Sequence, residues 1–232
     1  MMKKHVAIVL AAGTGSRMKS DIPKQYLNLR GKPVLYYSLK AFEESFVDEI
    51  ILVTGEGWQE YCRSEIAERY QLKKVKKIVA GGAERYDSVY RALCETDGAD
   101  YVYIHDGARP FLNGQILENA RRTVEQFGTA VAGMPVKDTI KIVDEDQFVK
   151  DTPPRSRVWQ IQTPQVFSRD LIISAYRKLY EAEAFEGITD DAMVVEKMEG
   201  TPVKLFEASY QNIKITTPED LAAAEIWDQM SF

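Results

Sequence analysis

The chain has 232 residues, 45% of them hydrophobic and 28% charged, with a formal net charge of −5 at neutral pH. That length and apolar content suffice to bury one α/β core, and the basic residues form no run, which excludes nonspecific nucleic-acid binding through a cationic patch. No apolar run approaches the ~20 residues of a membrane span.

In chain order, Lys3-Lys4-His5 and the apolar run 6–12 imitate the start of a secretory signal, at the short end of the roughly 7–15 apolar residues one needs. The glycine turn that follows continues into a folded pattern, so the run reads as a first strand and the protein is expected to be cytoplasmic. Residues 49–54, 77–80, 101–105 and 129–136 also read as strands, nearly continuous in apolar character, as strands buried on both faces are. Between them Leu35, Leu39, Phe42 and Phe46 fall at helical spacing, as do Trp58, Tyr61, Cys62, Ile66 and Tyr70. Cys62 and Cys94 show no CxxC spacing and are expected to be free thiols buried in helices. Residues 113–127 and 169–184 are further helices. The last helix starts legibly: Thr217 caps, Pro218 takes the first helical position, and Glu219 and Asp220 favour the positive end. The alternation predicts an α/β fold, a doubly wound, mostly parallel sheet in a single domain, 1–232.

Segment 137–162 breaks the pattern. Two β-like stretches, 139–143 and 147–151, flank Asp144-Glu145-Asp146, and a third, 158–162, follows Pro153-Pro154. Residues 137–160 are therefore expected either to project as a β-hairpin arm that grips a second subunit, or to fold back as an edge hairpin.

Ligands of an open parallel sheet bind beyond the carboxyl ends of its strands. Three such ends carry Gly13-Thr14-Gly15-Ser16-Arg17, Gly81-Gly82-Ala83-Glu84-Arg85 and Asp106-Gly107-Ala108-Arg109-Pro110. The first loop fails the dinucleotide fingerprint, because Met18 stands where a third glycine belongs, and it fails the P-loop pattern, because Lys24 follows Pro23. What remains is a loop of backbone donors with Arg17 and Lys24 as cations, suited to phosphates. Asp106 either holds a magnesium ion together with substrate phosphates or caps the next turn. His105 reads as a strand residue and His5 lies near the terminus, so histidine acid–base chemistry is not expected.

Further motifs complete the pattern: Pro23-Lys24-Gln25, Ser88-Val89, Pro135-Val136-Lys137-Asp138-Thr139, Gln162-Thr163-Pro164-Gln165, Thr189-Asp190-Asp191-Ala192, Asn212-Ile213-Lys214 and Thr217-Pro218-Glu219-Asp220-Leu221. In this order, from about Val6 to Glu225, they resemble the methylerythritol phosphate cytidylyltransferases, within the nucleotidyltransferases that activate sugar and polyol phosphates. The resemblance implies a Rossmann-like fold and a homodimer held by the arm, with Mg²⁺ as cofactor. It also implies transfer of CMP from CTP to a polyol phosphate with release of pyrophosphate. Arg17 and Lys24 are then expected to hold the triphosphate and the transition state, and Lys214 to add charge near the α-phosphate. Asp106 is expected beside the metal. Ala11, Ala12, Gly13, Gly15, Gly82, Ser88 and Gly107 are expected to join Asp106 around the nucleotide. Arg109, Thr139, Arg155, Thr163 and Thr189 are expected around the polyol phosphate, arm residues reaching in from a partner subunit. Each has a plainer alternative: Arg155 and Arg157 as surface charges, Thr189 as a helix cap, Lys137 and Lys141 as solvent-facing. Ala83 stands where many relatives carry an acid, which leaves only a backbone contact to the base there. Ribitol-5-phosphate cytidylyltransferases share Pro-Lys-Gln and Asn-Ile-Lys and are the alternative activity; a noncatalytic nucleotide-binding protein is the alternative class.

Overall fold

The computed structural model of the chain describes residues 3–13, 15, 18 and 22–227. Strand β1 (His5–Ala11) leads to a small hairpin, β2 (Asn28–Leu29) and β3 (Lys32–Pro33), and then to α1 (Val34–Glu43) and β4 (Glu49–Thr54). A short α2 (Gln59–Tyr61) widens into π turns over Cys62–Glu68 before β5 (Val75–Ala80), α3 (Arg85–Leu93), β6 (Tyr101–Asp106) and α4 (Gly114–Phe127). Strand β7 (Thr129–Pro135) is followed by β8 (Ile142–Val143), β9 (Val149–Asp151), β10 (Trp159–Ser168), α5 (Arg169–Glu181) and α6 (Asp191–Glu199). Strand β11 (Leu205–Glu207) and α7 (Pro218–Trp227) close the described chain.

Seven strands form one sheet in the order β11-β7-β10-β6-β1-β4-β5, parallel except for β10, which runs antiparallel to both its neighbours. Side chains alternate between faces along a strand. Ala7, Val9 and Ala11 of β1 and Ile50 and Leu52 of β4 therefore pack on one side, against α1, α4 and the π turns. Val6, Ile8, Ile51 and Val53 pack on the other, against α3, α5 and α6. This double burial bears out the continuous apolar reading of these two strands. It does not hold for β5, a sheet edge whose Lys76 and Lys77 are exposed, as charged edges commonly are. Helix α7 begins as expected: Thr217 Oγ1 and Asp220 exchange hydrogen bonds with each other's backbone N–H, a capping box with Pro218 at the first position.

Other expectations are corrected. The β stretch read at 158–162 is β from Trp159 on but belongs to the central sheet rather than the arm: it opens β10, the longest strand, which runs on through Pro164 between β7 and β6. The arm keeps only the β8–β9 pair. Cys62 is buried and donates to the Tyr26 hydroxyl, with burial pushing its thiol up to about 11, whereas Cys94 is exposed at the end of α3. The periodicity also passed over α3, α6, β11 and the β2–β3 hairpin. Among the described residues, no helix is long and apolar enough to cross a membrane.

Candidate active site

The ends of β1, β5 and β6 meet around a cavity of about 200 Å³. Its lining includes Ala11, Ala12, Gly13 and Lys24, then Gly82, Ser88 and Arg85, and across from them Asp106 and Lys214. A second hollow of about 460 Å³ shares Ala12, Gly13, Gln25, Gly82 and Ala83 with the first and extends towards Trp58 and Arg91.

Local chemistry explains why these segments converge. Buried Gln25 donates to the carbonyls of Ala11 (2.6 Å) and Gly13 (3.1 Å), which ties the Pro23-Lys24-Gln25 turn to the end of β1. In the second loop, a Cβ on Gly81 would stand 2.4 Å from the Ala12 Cβ, and one on Gly82 would stand 2.1 Å from the Asp87 Cβ, so no side chain fits. Ser88 Oγ accepts from Gly82 N at 3.0 Å and donates to Glu84 O at 3.2 Å, pinning that loop to α3. Glu84 and Asp87 complete a capping box at the same helix end. Substituting Gly82→Ala forces the loop to move at an overpacking cost of about 1–3 kcal/mol. Calorimetry should show CTP binding weakened about tenfold or more, with the fold retained.

Asp106 is the electrostatic centre. Lys214 Nζ lies 3.0 Å from Oδ2, Arg109 Nε 3.6 Å from Oδ2, and Arg85 Nε 3.7 Å from Oδ1. Burial alone would raise the Asp106 carboxyl, but Lys214, Arg85 and Arg109 reverse that and hold it well below the usual carboxylate range. Arg85 also makes a two-pronged pair with fully buried Asp191. Two carboxylates thus face three cations, one positive charge in excess, in a partly desolvated site beside the glycine loops. Such a site attracts anions.

The frame behind Asp106 is a hydrogen-bonded chain. The register of β10 against β7 slips between Ile161 and Gln165, and the displaced Thr163 reaches into β6. Its hydroxyl accepts from Asp106 N (3.0 Å) and donates to His105 Nδ1 (3.0 Å), which leaves Nε2–H to face the Arg109 carbonyl at 3.4 Å. Burial pushes His105 down to about 3, so it stays neutral and serves as a strut, as its strand position suggested. The side-chain amide of Asn212, fully buried, donates to Gln162 Oε1 and to the Thr163 carbonyl, and the Asn212 backbone carbonyl accepts from Arg109 Nη1. Ile215 N donates to Ala108 O, which brings Lys214 to the cavity.

The structure therefore brings Ala11, Ala12, Gly13, Lys24, Gly82, Ser88, Asp106 and Lys214 to one cavity. Gly15 stands at φ +68, where a Cβ would be 3.2 Å from the Lys24 side chain, and Gly107 packs under Leu10 and Leu35. Arg17 lies outside the described residues. Arg109 and Thr163 stand beside Asp106; the Thr163 hydroxyl and Arg109 Nη1 are committed to the frame, while buried Arg109 Nε has no hydrogen-bond partner and lies 3.6 Å from Asp106 Oδ2. Thr139 and Arg155 lie apart, exposed on the arm, where Arg155 Nη1 donates to Lys137 O. Thr189 is exposed and does not cap α6; Asp190 does, accepting from Met193 N at 2.9 Å. Sequence reasoning assigned no role to Arg85, Asp191 or Gln25, although all three stand inside the quoted motifs.

An α/β sheet whose glycine loops and excess positive charge face a common cavity at the strand carboxyl ends offers a site for a nucleotide's phosphates, as the nucleotidyltransferase class requires. The profile of the family described as IspD, 2-C-methyl-D-erythritol 4-phosphate cytidylyltransferase, matches residues 5–229. A protein of that name from Lachnospira eligens is 56% identical over 224 residues, 96% of this chain and 98% of its own. One from Caldanaerobacter subterraneus subsp. tengcongensis is 49% identical, covering 95% and 97%. Among solved structures, the 4-diphosphocytidyl-2C-methyl-D-erythritol synthase of Anaerococcus prevotii superposes with a TM-score of 0.86 at 34% identity, covering 98% of this chain and 96% of that one. The chain belongs to the 2-C-methyl-D-erythritol 4-phosphate cytidylyltransferase family, and is an enzyme of isoprenoid biosynthesis.

Proposed function

We propose that this chain transfers CMP from CTP to 2-C-methyl-D-erythritol 4-phosphate, forming 4-diphosphocytidyl-2-C-methyl-D-erythritol and pyrophosphate. The observation that carries the reading is the Asp106 cluster, with its excess cation, set beside the Gly81-Gly82 loop, where no side chain fits, and the loop that holds Gly15 at φ +68. A phosphate oxygen of the polyol attacks the α-phosphorus of CTP; the new P–O bond forms as the bond to the β-phosphate breaks, and pyrophosphate leaves. The attacking phosphate, with a second pKa near 6, is largely dianionic at neutral pH, so no protein base is needed. The barrier is the approach of two anions, which positioning and fixed cations lower. Lys24 and Arg17 hold the triphosphate, and Lys214 meets charge that develops at the α-phosphate. The backbone of residues 11–13 and 15, with Gly82, Ser88 and Gly107, shapes the nucleotide site.

No group of three or more His, Cys, Asp or Glu side chains placed to hold a metal occurs among the described residues. A cation here would arrive with the nucleotide, as Mg²⁺ does when it takes one or two carboxylates plus substrate phosphates. Asp106 fits that use: it is ionised, Arg85 Nε approaches its Oδ1 no closer than 3.7 Å, and the 3.0 Å contact of Lys214 falls on Oδ2. Bound there, Mg²⁺ would neutralise the phosphates.

Arg109 and Thr163 set the position of Asp106, with Arg109 facing the polyol phosphate. Thr189 also faces the polyol phosphate, and the arm residues Thr139 and Arg155 reach the polyol phosphate of a neighbouring subunit in a homodimer. Ile142, Val143, Phe148 and Val149 of the arm are exposed, Phe148 by 71%, an apolar surface suited to a second copy. Deleting residues 141–150 should convert the dimer to monomer by light scattering and depress polyol-phosphate turnover; an intact dimer would refute the grip. A reaction consuming CTP belongs in the cytoplasm, and the unpaired Cys62 and Cys94 agree with a reducing compartment.

Pyrophosphate release from CTP and Mg²⁺, compared between methylerythritol phosphate and ribitol 5-phosphate, tests the function. Preference for ribitol phosphate selects the sister activity, and no release with either selects a binding protein. With His105 at about 3 and Asp106 held low, the range near pH 6 belongs to the substrate. Below about pH 6, kcat/KM should fall about tenfold per unit as the attacking phosphate gains its proton.

A further inference from the structure

Asp191 stands 106 residues from Arg85, fully buried, and takes both prongs of its guanidinium: Nη1 on Oδ1 at 3.0 Å and Nη2 on Oδ2 at 2.7 Å. A third donor, the hydroxyl of fully buried Tyr176, reaches Oδ1 at 2.6 Å. Helix α5 supplies Tyr176 and the first turn of α6 supplies Asp191, and the two helices pack together on the sheet. Tyr90 stacks alongside Tyr176, centroids 6.1 Å apart. With Nη1 and Nη2 committed, Arg85 turns only its Nε towards Asp106, at 3.7 Å, beyond hydrogen-bond range. A guanidinium released from Asp191 would close on Asp106 in the bidentate geometry that arginine and carboxylate favour. It would then occupy Oδ1, while Lys214 occupies Oδ2.

We propose that Asp191 and Tyr176 are positioning residues that hold the Arg85 fork back from Asp106, keeping Oδ1 open for the divalent cation that arrives with CTP. The inference rests on the reading of Asp106 as that cation's carboxylate. Neither Asp191 nor Tyr176 lines the cavity, so their effect on metal binding passes through Arg85, whose charge still acts on the nucleotide. A salt bridge that served stability alone would not govern the metal.

The test is Mn²⁺ binding to the enzyme–CTP complex, read by loss of the free-ion electron paramagnetic resonance signal, beside the Mg²⁺ dependence of turnover. In Asp191→Asn, the Mn²⁺ dissociation constant and the Mg²⁺ activation constant should both rise about tenfold, with a smaller change in kcat at saturating metal. Tyr176→Phe keeps the ring and its stacking, and should shift both constants in the same direction by less. The double variant Asp191→Asn with Arg85→Gln should return both constants towards wild type, because the side chain that closes Oδ1 is gone. Unchanged constants in Asp191→Asn and Tyr176→Phe, or a double variant worse than the single, would overturn the proposal. Asp106→Asn separates the two claims. If it leaves Mn²⁺ binding intact, the reading of Asp106 fails. If it abolishes binding while Asp191→Asn does not weaken it, only the positioning role fails.

Discussion

Lys214→Ala should lower kcat by about a hundred- to a thousandfold, the cost of removing one preorganised charge from a developing anion. Lys214 lies 3.0 Å from Asp106 and lines the cavity, and the Ile215–Ala108 backbone hydrogen bond holds its segment in place. Its removal has two consequences of the same sign. The nucleotide loses a cation where charge builds, and the local balance falls from one excess positive charge to neutral. The Asp106 carboxyl, which burial raises and Lys214 is the foremost group to lower, also moves up towards the ordinary range. Lys214→Arg should recover only part of the loss, because a planar fork cannot take the place of a compact ammonium. Steady-state pyrophosphate release measures both variants, and an unchanged kcat in Lys214→Ala would remove the residue from the catalytic set.

Lys24→Ala should lower kcat by a similar about hundredfold or more, with a much smaller rise in KM for CTP. The Pro23-Lys24-Gln25 turn is stapled to the end of β1 by Gln25, so the lysine is presented on a rigid support rather than on a mobile loop. A group positioned before substrate arrives acts most on the state in which charge is greatest, and its loss is read in turnover rather than in binding. A variant with intact kcat and a raised KM would mean that Lys24 binds ground state and transition state alike. Circular dichroism separates either result from a folding defect.

The parts of the site legible in the sequence are those encoded within a few residues. Gly81 and Gly82 announce a backbone that must pass close to Ala12 and Asp87, and Asp106 ends a buried strand. The doubly buried character of β1 and β4 shows in their unbroken apolar runs. Illegible were the interactions that join distant segments. Arg85 meets Asp191 across 106 positions, and Thr163 meets Asp106 across 57, each through a tertiary contact that no periodicity encodes. Strand β10 was misread because Pro164 and the preceding arm interrupt its pattern, although the register slip at that point is what delivers Thr163 to β6. Helix α6 shows in the sequence only through its capping residues, because its polar and apolar residues are poorly segregated, and the cap is Asp190 rather than the neighbouring threonine. The exposed Cys94 shows that a helical position near a helix end does not imply burial.

The most direct test of CMP transfer follows the label from CTP. Incubated with Mg²⁺, methylerythritol phosphate and [α-³²P]CTP, the protein should place the label in a diphosphate-linked cytidyl product, while [γ-³²P]CTP should deliver its label to pyrophosphate. Label appearing as free CMP or inorganic phosphate, or remaining wholly in CTP, would contradict the account.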